Sequence, residues 1–227
     1  MREGAAAGAG LEIEDLACRR GGRLVFRDVT LALAPGGAAE LRGPNGVGKS
    51  SLIRQLAGLV PVAGGDARLG EMSLVRDPGE FQQRVAYAGH LDAVKPALTV
   101  GENLGVWASI LGADPRRAEA ALERFGIAAI AERPAAECSA GQKRRLGLAR
   151  LMLAWRPLWL LDEPTVSLDR AGTALVAALS SEHRARGGMV LAATHVDLGL
   201  ADAAVLEMTP PPAAAAEADP FLAGAWG

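Results

Sequence analysis

Short apolar runs alternate with helical patterns along the chain. The segments Leu158–Leu161 and Met189–Ala193 are uninterrupted runs of apolar residues, which is typical of strands buried on both faces. A third extended segment, Ala38–Arg42, leads into a stretch where apolar residues recur at helical spacing. Strands that alternate with helices in this way predict an α/β fold, in which helices cover a mostly parallel sheet.

The middle of the chain has a different pattern, with helix starts and few strand signals. Thr99 and Glu102 have the spacing of a capping box, and an apolar helical pattern follows them. Asp114 followed by Pro115 marks a second helix start, and Gly126 is placed to end that helix. We therefore predict a helical insert at about residues 92–155.

Both ends of the chain are rich in small residues, and the C-terminal end also contains a run of prolines. Residues 1–10 read MREGAAAGAG, and the run PPPAAAAEAD begins at Pro210, so both compositions predict flexible ends. Phe221 and Trp226 lie in the second tail, where docking on a surface and a loose terminus are both open interpretations. The expected organisation is a disordered N-terminus at 1–10, one domain at 11–209 and a flexible tail at 210–227.

The composition excludes several classes of protein. Half of the 227 residues are hydrophobic and 22% are charged, which is typical of a folded globular chain. The net charge of −2, with scattered arginines, argues against nucleic acid as a partner. No apolar run is long enough to span a membrane and the N-terminus lacks the apolar core of a signal peptide, so we expect a cytosolic chain. Cys18 and Cys138 have no metal-ligand or CxxC spacing and are expected to be reduced packing residues.

A glycine-rich sequence follows Ala38–Arg42 and matches the phosphate-loop pattern GxxxxGK[ST] at every fixed position. Its residues are Gly43, Pro44, Asn45, Gly46, Val47, Gly48, Lys49 and Ser50, followed by Ser51. The next apolar helical positions are Leu52, Ile53, Leu56 and Leu59. A glycine-rich turn before a helix is also common without a ligand, but here strand, loop and helix are all in place. In such a loop, backbone N–H groups surround the phosphates, Lys49 reaches the β- and γ-phosphates, and Ser50 binds Mg²⁺. The loop predicts binding of a nucleoside triphosphate.

Two adjacent acids, Asp162 and Glu163, follow the apolar run Leu158–Leu161. They stand at the predicted carboxyl end of a strand, where ligands bind in open α/β sheets. Acids in this position can also cap the next helix. Together with the phosphate loop they predict that Asp162 binds Mg²⁺, directly or through water, and that Glu163 orients or activates the attacking water.

A second capping box precedes the acidic strand, since Ser139 and Gln142 have the S-x-x-Q spacing. The apolar positions that follow are Leu146, Ala149 and Leu153. The plain interpretation is a well-capped helix. At this point the chain also resembles the ABC ATPase family, whose signature LSGGQ stands shortly before the acidic strand and reads CSAGQ here, from Cys138 to Gln142.

The resemblance covers residues from about Leu11 to Met208. It implies a RecA-like P-loop NTPase core with a small N-terminal antiparallel β part and the inserted helical subdomain. In this family the signature helix points its N-terminus at the γ-phosphate held by the opposite subunit. Ser139, Gly141 and Gln142 are therefore implied to bind ATP across a dimer formed with a second copy of the chain.

Two further motifs follow in the family's order. Ser167-Leu168-Asp169 resembles the D-loop, which contacts the partner subunit. His195, which follows the run Met189–Ala193, matches the switch histidine that contacts the γ-phosphate. The resemblance thus implies that Glu163, His195 and Lys49 carry the hydrolysis of ATP.

Two positions depart from the family pattern. Where the family has a glutamine that links the active site to the membrane partner, this chain has His90, which can still ligate or relay. Where the family has an aromatic residue that stacks on adenine, this chain has Arg20. The guanidinium plane of Arg20 can also stack on a base, although more weakly.

One branch of the family shares further features with the chain. They are Gly89-His90, the run from Lys95 to Thr99 ahead of Glu102-Asn103-Leu104, and Ser139-Ala140-Gly141-Gln142. These features resemble the ATP-binding subunits of cytochrome c maturation transporters, the haem-exporter branch. The resemblance implies an ATPase that drives haem export or delivery from the cytoplasmic face of the inner membrane. Its implied partner is an integral-membrane permease subunit (CcmB-like).

Other classes fit the sequence less well. ABC-type proteins of DNA repair or chromosome structure need long coiled-coil inserts, and no heptad run is present. Translation-associated ABC proteins carry two cassettes, whereas this chain has a single phosphate loop. An inactive module is disfavoured because Lys49, Glu163 and His195 are all present. The alternative that stays open is the ATP-binding subunit of a general small-solute or drug exporter.

Overall fold

The structure is a computed structural model that describes residues 10–196 and 198–211. The predicted flexible ends therefore lie largely outside the described residues, and so do Phe221, Trp226 and Asp197. The described strands are β1 (Leu11–Arg20), β2 (Arg23–Leu33), β3 (Ala38–Arg42), β4 (Gly64–Leu69), β5 (Met72–Ser73), β6 (Val85–Ala88), β7 (Leu158–Asp162), β8 (Met189–Ala193) and β9 (Ala204–Glu207). The described helices are α1 (Lys49–Leu56), α2 (Pro78–Gln82), α3 (Val100–Ile110), α4 (Pro115–Arg124), α5 (Ala140–Ala149) and α6 (Arg170–Ala185).

The strands form two sheets. An antiparallel sheet has the order β2-β1-β4-β5, and a parallel sheet has the order β6-β7-β8-β3-β9. This arrangement confirms the predicted α/β fold with a mostly parallel sheet and a small N-terminal antiparallel part. The carboxyl ends of the parallel strands meet at one edge, which brings the segments after β3, β6, β7 and β8 together.

Strands β7 and β8 are buried on both faces, as their apolar runs predict. Leu158 and Leu160 face a core that also contains α1 and the antiparallel sheet. Trp159 and Leu161 face a second core, built with α3 to α6. Because successive side chains of a strand point to opposite faces, one continuous apolar run fills both cores.

Helices α3, α4 and α5 occupy the chain between β6 and β7, with short 3₁₀ turns at Ala128–Ile130, Ala135–Glu137 and Arg150–Met152. The capping box at Thr99 and Glu102 is formed, and Asp114 caps α4. Gly126 follows α4 with a positive φ of 65°, so the predicted starts and stop of these helices are confirmed. Within the described residues, no helix combines the length and apolarity needed to cross a bilayer.

The helix after the glycine-rich loop is shorter than predicted. Gly58 has φ 73° and donates its N–H to Gln55, while the N–H of Leu59 donates to the carbonyl of Arg54. These two bonds form a Schellman motif, which ends α1. The prediction that Leu59 continues the apolar face of the helix is therefore wrong, and this side chain is 62% exposed.

The predicted apolar face of α5 is buried at Leu146 and Ala149. Leu153 is buried too, but it lies beyond the 3₁₀ turn that follows the helix. Cys18 and Cys138 are buried free thiols, in agreement with a packing role, and burial raises the pKa of the Cys18 thiol.

A buried histidine holds α6 against the parallel sheet. The ring of His183 stacks on Trp159 with ring centroids 4.1 Å apart, and Trp155 lies at 4.8 Å. Burial lowers the pKa of His183 to about 4, and the nearby charge of Arg186 adds to this effect. The imidazole is therefore neutral in the folded chain over the physiological pH range.

We predict that acid weakens the fold through His183. As the pH falls from 6.5 towards 4, the unfolded chain binds a proton that the folded chain excludes, so the free energy of unfolding decreases. The full loss from this group is about 3 kcal/mol. Denaturant unfolding followed by tryptophan fluorescence at several pH values measures it. In His183→Phe, which keeps an aromatic ring without a titrating group, this part of the pH dependence should disappear. An unchanged pH dependence in the variant would contradict the prediction.

Candidate functional site

The glycine-rich loop joins β3 to α1 at the carboxyl edge of the parallel sheet. Lys49 is buried, and its Nζ donates to the carbonyl oxygens of Gly43 at 2.6 Å and Pro44 at 3.1 Å. Gly48 precedes α1, and no side chain caps the N-terminus of this helix. The loop thus combines a lysine ammonium with the free N–H groups of a helix start, which is the geometry of an anion site.

The carboxylate of Asp162 lies beside the start of α1. Ser50 Oγ donates to Asp162 Oδ1 at 2.7 Å, which joins the loop to the end of β7. Asp162 is fully buried, and its Oδ2 has no hydrogen-bond donor within the described part of the chain. A buried carboxylate oxygen without a donor is well suited to a cation, directly or through water. This pair of oxygen ligands fits Mg²⁺.

Glu163 follows directly and points towards the end of β8. Its Oε1 lies 3.3 Å from His195 Nε2, and its N–H donates to the carbonyl of Ala193 at 2.8 Å. The backbone of Glu163 has φ 50°, a left-handed conformation that is costly for a residue with a side chain. The chain therefore holds this carboxylate in one defined orientation next to His195.

Lys49, Ser50, Glu163 and His195 line one cavity of about 370 Å³, and Asp162 adjoins it through its hydrogen bond with Ser50. The glycine-rich loop from Asn45 to Ser51 forms one wall, and Glu163 and His195 form another. Arg20 and Val25 of the antiparallel sheet complete the lining, because the β1–β2 turn at Gly21 and Gly22 carries this hairpin over the loop. The fold thus brings together the loop, the acidic strand end, His195 and Arg20, which are far apart in sequence.

The second capping box lies at a different cavity. Ser139 Oγ accepts from the N–H of Gln142 at 3.2 Å, and Gln142 Oε1 accepts from the N–H of Ser139 at 2.9 Å. Ser139, Gly141, Gln142 and Asp169 line a cavity of about 370 Å³ that shares no lining residue with the first. Within one chain, the signature-like turn is therefore separate from the phosphate loop.

Asp169 caps the N-terminus of α6, and its carboxylate accepts hydrogen bonds from two donors. The N–H of Gly172 donates to Asp169 Oδ1 at 2.8 Å, and Arg145 Nη2 donates to the same oxygen at 2.8 Å. Both bonds stabilise the ionised carboxylate, so they lower the pKa of Asp169. Because Arg145 belongs to α5, this pair fixes the segment before α6 against the signature-like helix.

Two basic residues of the site were not predicted from the sequence. Arg54 Nη2 lies 3.7 Å from Asp162 Oδ2. Its position four residues after Ser50 on α1 was a usable signal, since this spacing puts both side chains on one helix face. Arg144, in a run of basic residues on α5, contacts the main chain of Glu163. His90 is exposed beyond the end of β6 and is not among the lining residues of either cavity.

Comparison with known proteins gives consistent matches. Residues 26–166 match the family model described as ABC transporter. The chain is 51% identical to the cytochrome c biogenesis ATP-binding export protein CcmA of Cereibacter sphaeroides, over 94% of this chain and 98% of that protein. It is 52% identical to the CcmA protein of Paracoccus denitrificans, over 88% of this chain and 89% of that protein.

A solved structure described as the ATP-binding subunit of an ABC transporter superposes with a TM-score of 0.78. It is 25% identical in sequence, and the match covers 87% of this chain and 85% of that one.

We predict that two glycines of the loop differ in their tolerance of a side chain. A Cβ at Gly48, where φ is 113°, would come within 2.9 Å of both Phe26 and Val25. Gly46, with φ 81°, has open space around it and provides the matched control. Gly46→Ala should lower the free energy of unfolding by about 1 kcal/mol, through backbone strain alone. Gly48→Ala should cost at least about 2 kcal/mol, because overpacking is added. Denaturant unfolding of both variants tests this, and equal losses would argue against the packing contribution.

Proposed function

The chain belongs to the ABC transporter family and, within it, to the CcmA family of cytochrome c biogenesis ATP-binding export proteins, and on this premise we propose that it powers haem export or delivery for cytochrome c biogenesis. As a member of this family it is an ABC-type ATPase and binds ATP. The observation that carries the proposal is identity of about half of the residues along nearly the whole length of the relatives. This identity favours cytochrome c biogenesis over a general small-solute or drug exporter.

The proposed binding site of ATP is the cavity in front of α1. Residues 43–51 would surround the phosphates with backbone N–H groups, and Lys49 would exchange its two loop carbonyls for the β- and γ-phosphates. Arg20, which also lines this cavity, would stack on the adenine. The position of Arg20 in the lining of the same cavity supports this assignment.

Mg²⁺ is the proposed cofactor, held by Ser50 and Asp162. The Oδ2 of Asp162, which accepts no hydrogen bond within the described residues, and the hydroxyl of Ser50 support this choice. The described residues contain no group of three or more His, Cys, Asp or Glu side chains suited to a metal, so the phosphates and water would supply the remaining ligands. Held by Ser50 and Asp162, Mg²⁺ would offset the negative charge of the phosphates.

Hydrolysis is assigned to Glu163 and His195. The Glu163 carboxylate would orient a water molecule and accept its proton as the water oxygen attacks the γ-phosphorus. The bond between the γ-phosphorus and the bridging oxygen then breaks, which leaves ADP and inorganic phosphate. His195, whose Nε2 lies 3.3 Å from Glu163 Oε1, would contact the γ-phosphate from the same side.

The complete site is proposed to need two copies of the chain. Ser139, Gly141, Gln142 and Asp169 line a cavity separate from the phosphate loop, so they would complete the site of a second copy. The N-terminus of α5 would then face the partner's γ-phosphate. Two ATP molecules would lie between the subunits, and hydrolysis would allow them to separate.

The described part of the chain has no helix suited to crossing a membrane, so a separate permease subunit is proposed to form the export path. We propose a CcmB-like permease, with this chain bound peripherally at the cytoplasmic face of the inner membrane. The helical insert at 92–155, within a domain spanning 11–209, would face the permease. His90, exposed after β6, would relay between the permease and the nucleotide.

We predict opposite effects for two substitutions in the nucleotide cavity. Glu163→Gln should still bind ATP and accumulate as a dimer, while kcat falls by about 100-fold or more because the proton acceptor is lost. Lys49→Ala should weaken ATP binding by at least about tenfold, because the phosphates lose a charged partner. ATPase assays, equilibrium nucleotide binding and size-exclusion chromatography with light scattering distinguish the two. Turnover by Glu163→Gln at the wild-type rate would refute the role of Glu163.

We predict that the tagged chain, purified from native membranes, recovers a permease together with cytochrome c maturation factors. The control is the Lys49→Ala chain, which should recover the same proteins because Lys49 lies in the nucleotide cavity and outside the helical insert proposed to face the permease. Recovery of an unrelated permease without maturation factors would overturn the assignment to cytochrome c biogenesis. The assignment of the chain as an ABC-type ATPase would still stand.

A further inference from the structure

Arg144 lies on α5, shortly after the signature-like turn Ser139–Gln142, and is almost completely buried. Its exposed fraction is 3%. An arginine is rarely buried to this extent unless each of its donors finds an acceptor, because removal of the guanidinium from water is costly. The acceptors of Arg144 therefore show what this residue holds in place.

The guanidinium donates to five acceptors in two segments. After β7 it reaches the main-chain oxygens of Asp162 at 3.3 Å, Glu163 at 2.7 Å and Pro164 at 3.0 Å. After β6 it reaches the carbonyl of Gly89 at 2.6 Å and the carboxylate of Asp92 at 2.9 Å. One side chain of α5 thus binds both the acidic strand end and the loop that follows β6.

The hydrogen bond from Arg144 to Glu163 stabilises a strained backbone conformation. The left-handed φ of Glu163 persists only where its surroundings fix it. The N–H of Glu163 donates to the carbonyl of Ala193, and its own carbonyl accepts from Arg144 Nη2 at 2.7 Å and from the N–H of Val166 at 3.3 Å. Removal of the guanidinium would leave this carbonyl with only the longer bond from Val166, which would allow the carboxylate to turn away from His195.

The loop after β6 is also packed closely against α5. A Cβ at Gly147, one turn after Arg144, would lie 3.0 Å from the Asp92 side chain. The glycine therefore lets the Asp92 segment approach the helix, and Arg144 binds that segment by an ion pair. Any displacement of the loop after β6 would therefore also displace the guanidinium that donates to the Glu163 carbonyl.

We propose that Arg144 is a positioning residue for ATP hydrolysis, which makes the signature-like helix, the loop after β6 and the Glu163 backbone move as one unit. The proposal rests on the proposed function, because it takes Glu163 as the group that activates water. Arg144 does not line the cavity in front of the phosphate loop, so it should act on turnover and leave nucleotide affinity unchanged.

Lysine cannot replace this residue. An ammonium group keeps the positive charge beside Asp92, but it lacks the planar fork of five N–H donors that spans both segments. Arg144→Lys should therefore lower kcat by at least about tenfold, while the Kd for ATP changes by less than about threefold. Asp92→Asn, which keeps an acceptor oxygen and loses the charge, should lower kcat to a smaller extent.

The experiment measures steady-state ATPase activity of the full chain, with kcat expressed per nucleotide-binding site titrated by a fluorescent ATP analogue. This normalisation removes any loss of folded protein, so a merely structural role would leave kcat per site unchanged. The matched control is Arg184→Lys. Its guanidinium also joins two main-chain carbonyls, those of Gly36 and Ala201, away from the nucleotide cavity. This variant should keep the wild-type kcat per site.

A wild-type kcat per site in Arg144→Lys would overturn the positioning role, and so would an equal loss in Arg184→Lys. Failure of the proposed function itself would give different results. If the wild-type chain does not hydrolyse ATP, or Glu163→Gln hydrolyses it normally, the assignment of the catalytic carboxylate is itself wrong.

Discussion

The fully buried carboxylate of Asp162 is the constraint on which the site depends. A charge removed from water must be compensated, and Ser50 and the guanidinium of Arg54 supply part of that compensation from α1. Because Asp162 ends β7 and Ser50 lies in the first turn of α1, the interaction fixes the distance between the acidic strand end and the phosphate loop. The Oδ2 of Asp162 has the Arg54 guanidinium at 3.7 Å but no hydrogen-bond donor within the described residues, which leaves the carboxylate incompletely satisfied and favours a cation at this position.

Much of the fold is encoded locally and can be predicted from the sequence. The apolar run Leu158–Leu161 has no polar alternation because both of its faces are buried, and the two capping boxes are complete within four residues each. The end of α1 was missed because the signal of Gly58 competes with an apolar residue, Leu59, at helical spacing. Local pattern therefore predicts the buried strands and the capped helix starts, but an exposed apolar residue beyond a helix end misleads it.

Site residues that belong to a sequence motif could be predicted, because the motif fixes their spacing. Site residues that only the fold brings into contact could not be predicted. The phosphate loop and the acidic pair belong to such motifs, and both line or adjoin the same cavity. The contacts of Arg144 cross 18 to 55 positions of the sequence and end mostly on main-chain carbonyls, which carry no sequence signal. The same is true of the cavity wall contributed by Val25, which depends on how the hairpin crosses the loop.

The cavity in front of the phosphate loop takes its walls from both sheets. Arg20 and Val25 belong to the antiparallel sheet, whereas the loop, Glu163 and His195 belong to the parallel one. A nucleotide bound there would contact both sheets, which otherwise pack together through the apolar side chains of one core. A ligand that binds only the assembled walls stabilises the folded chain by mass action. Loss of the nucleotide would then loosen the N-terminal hairpin and make the subunit more susceptible to proteolysis.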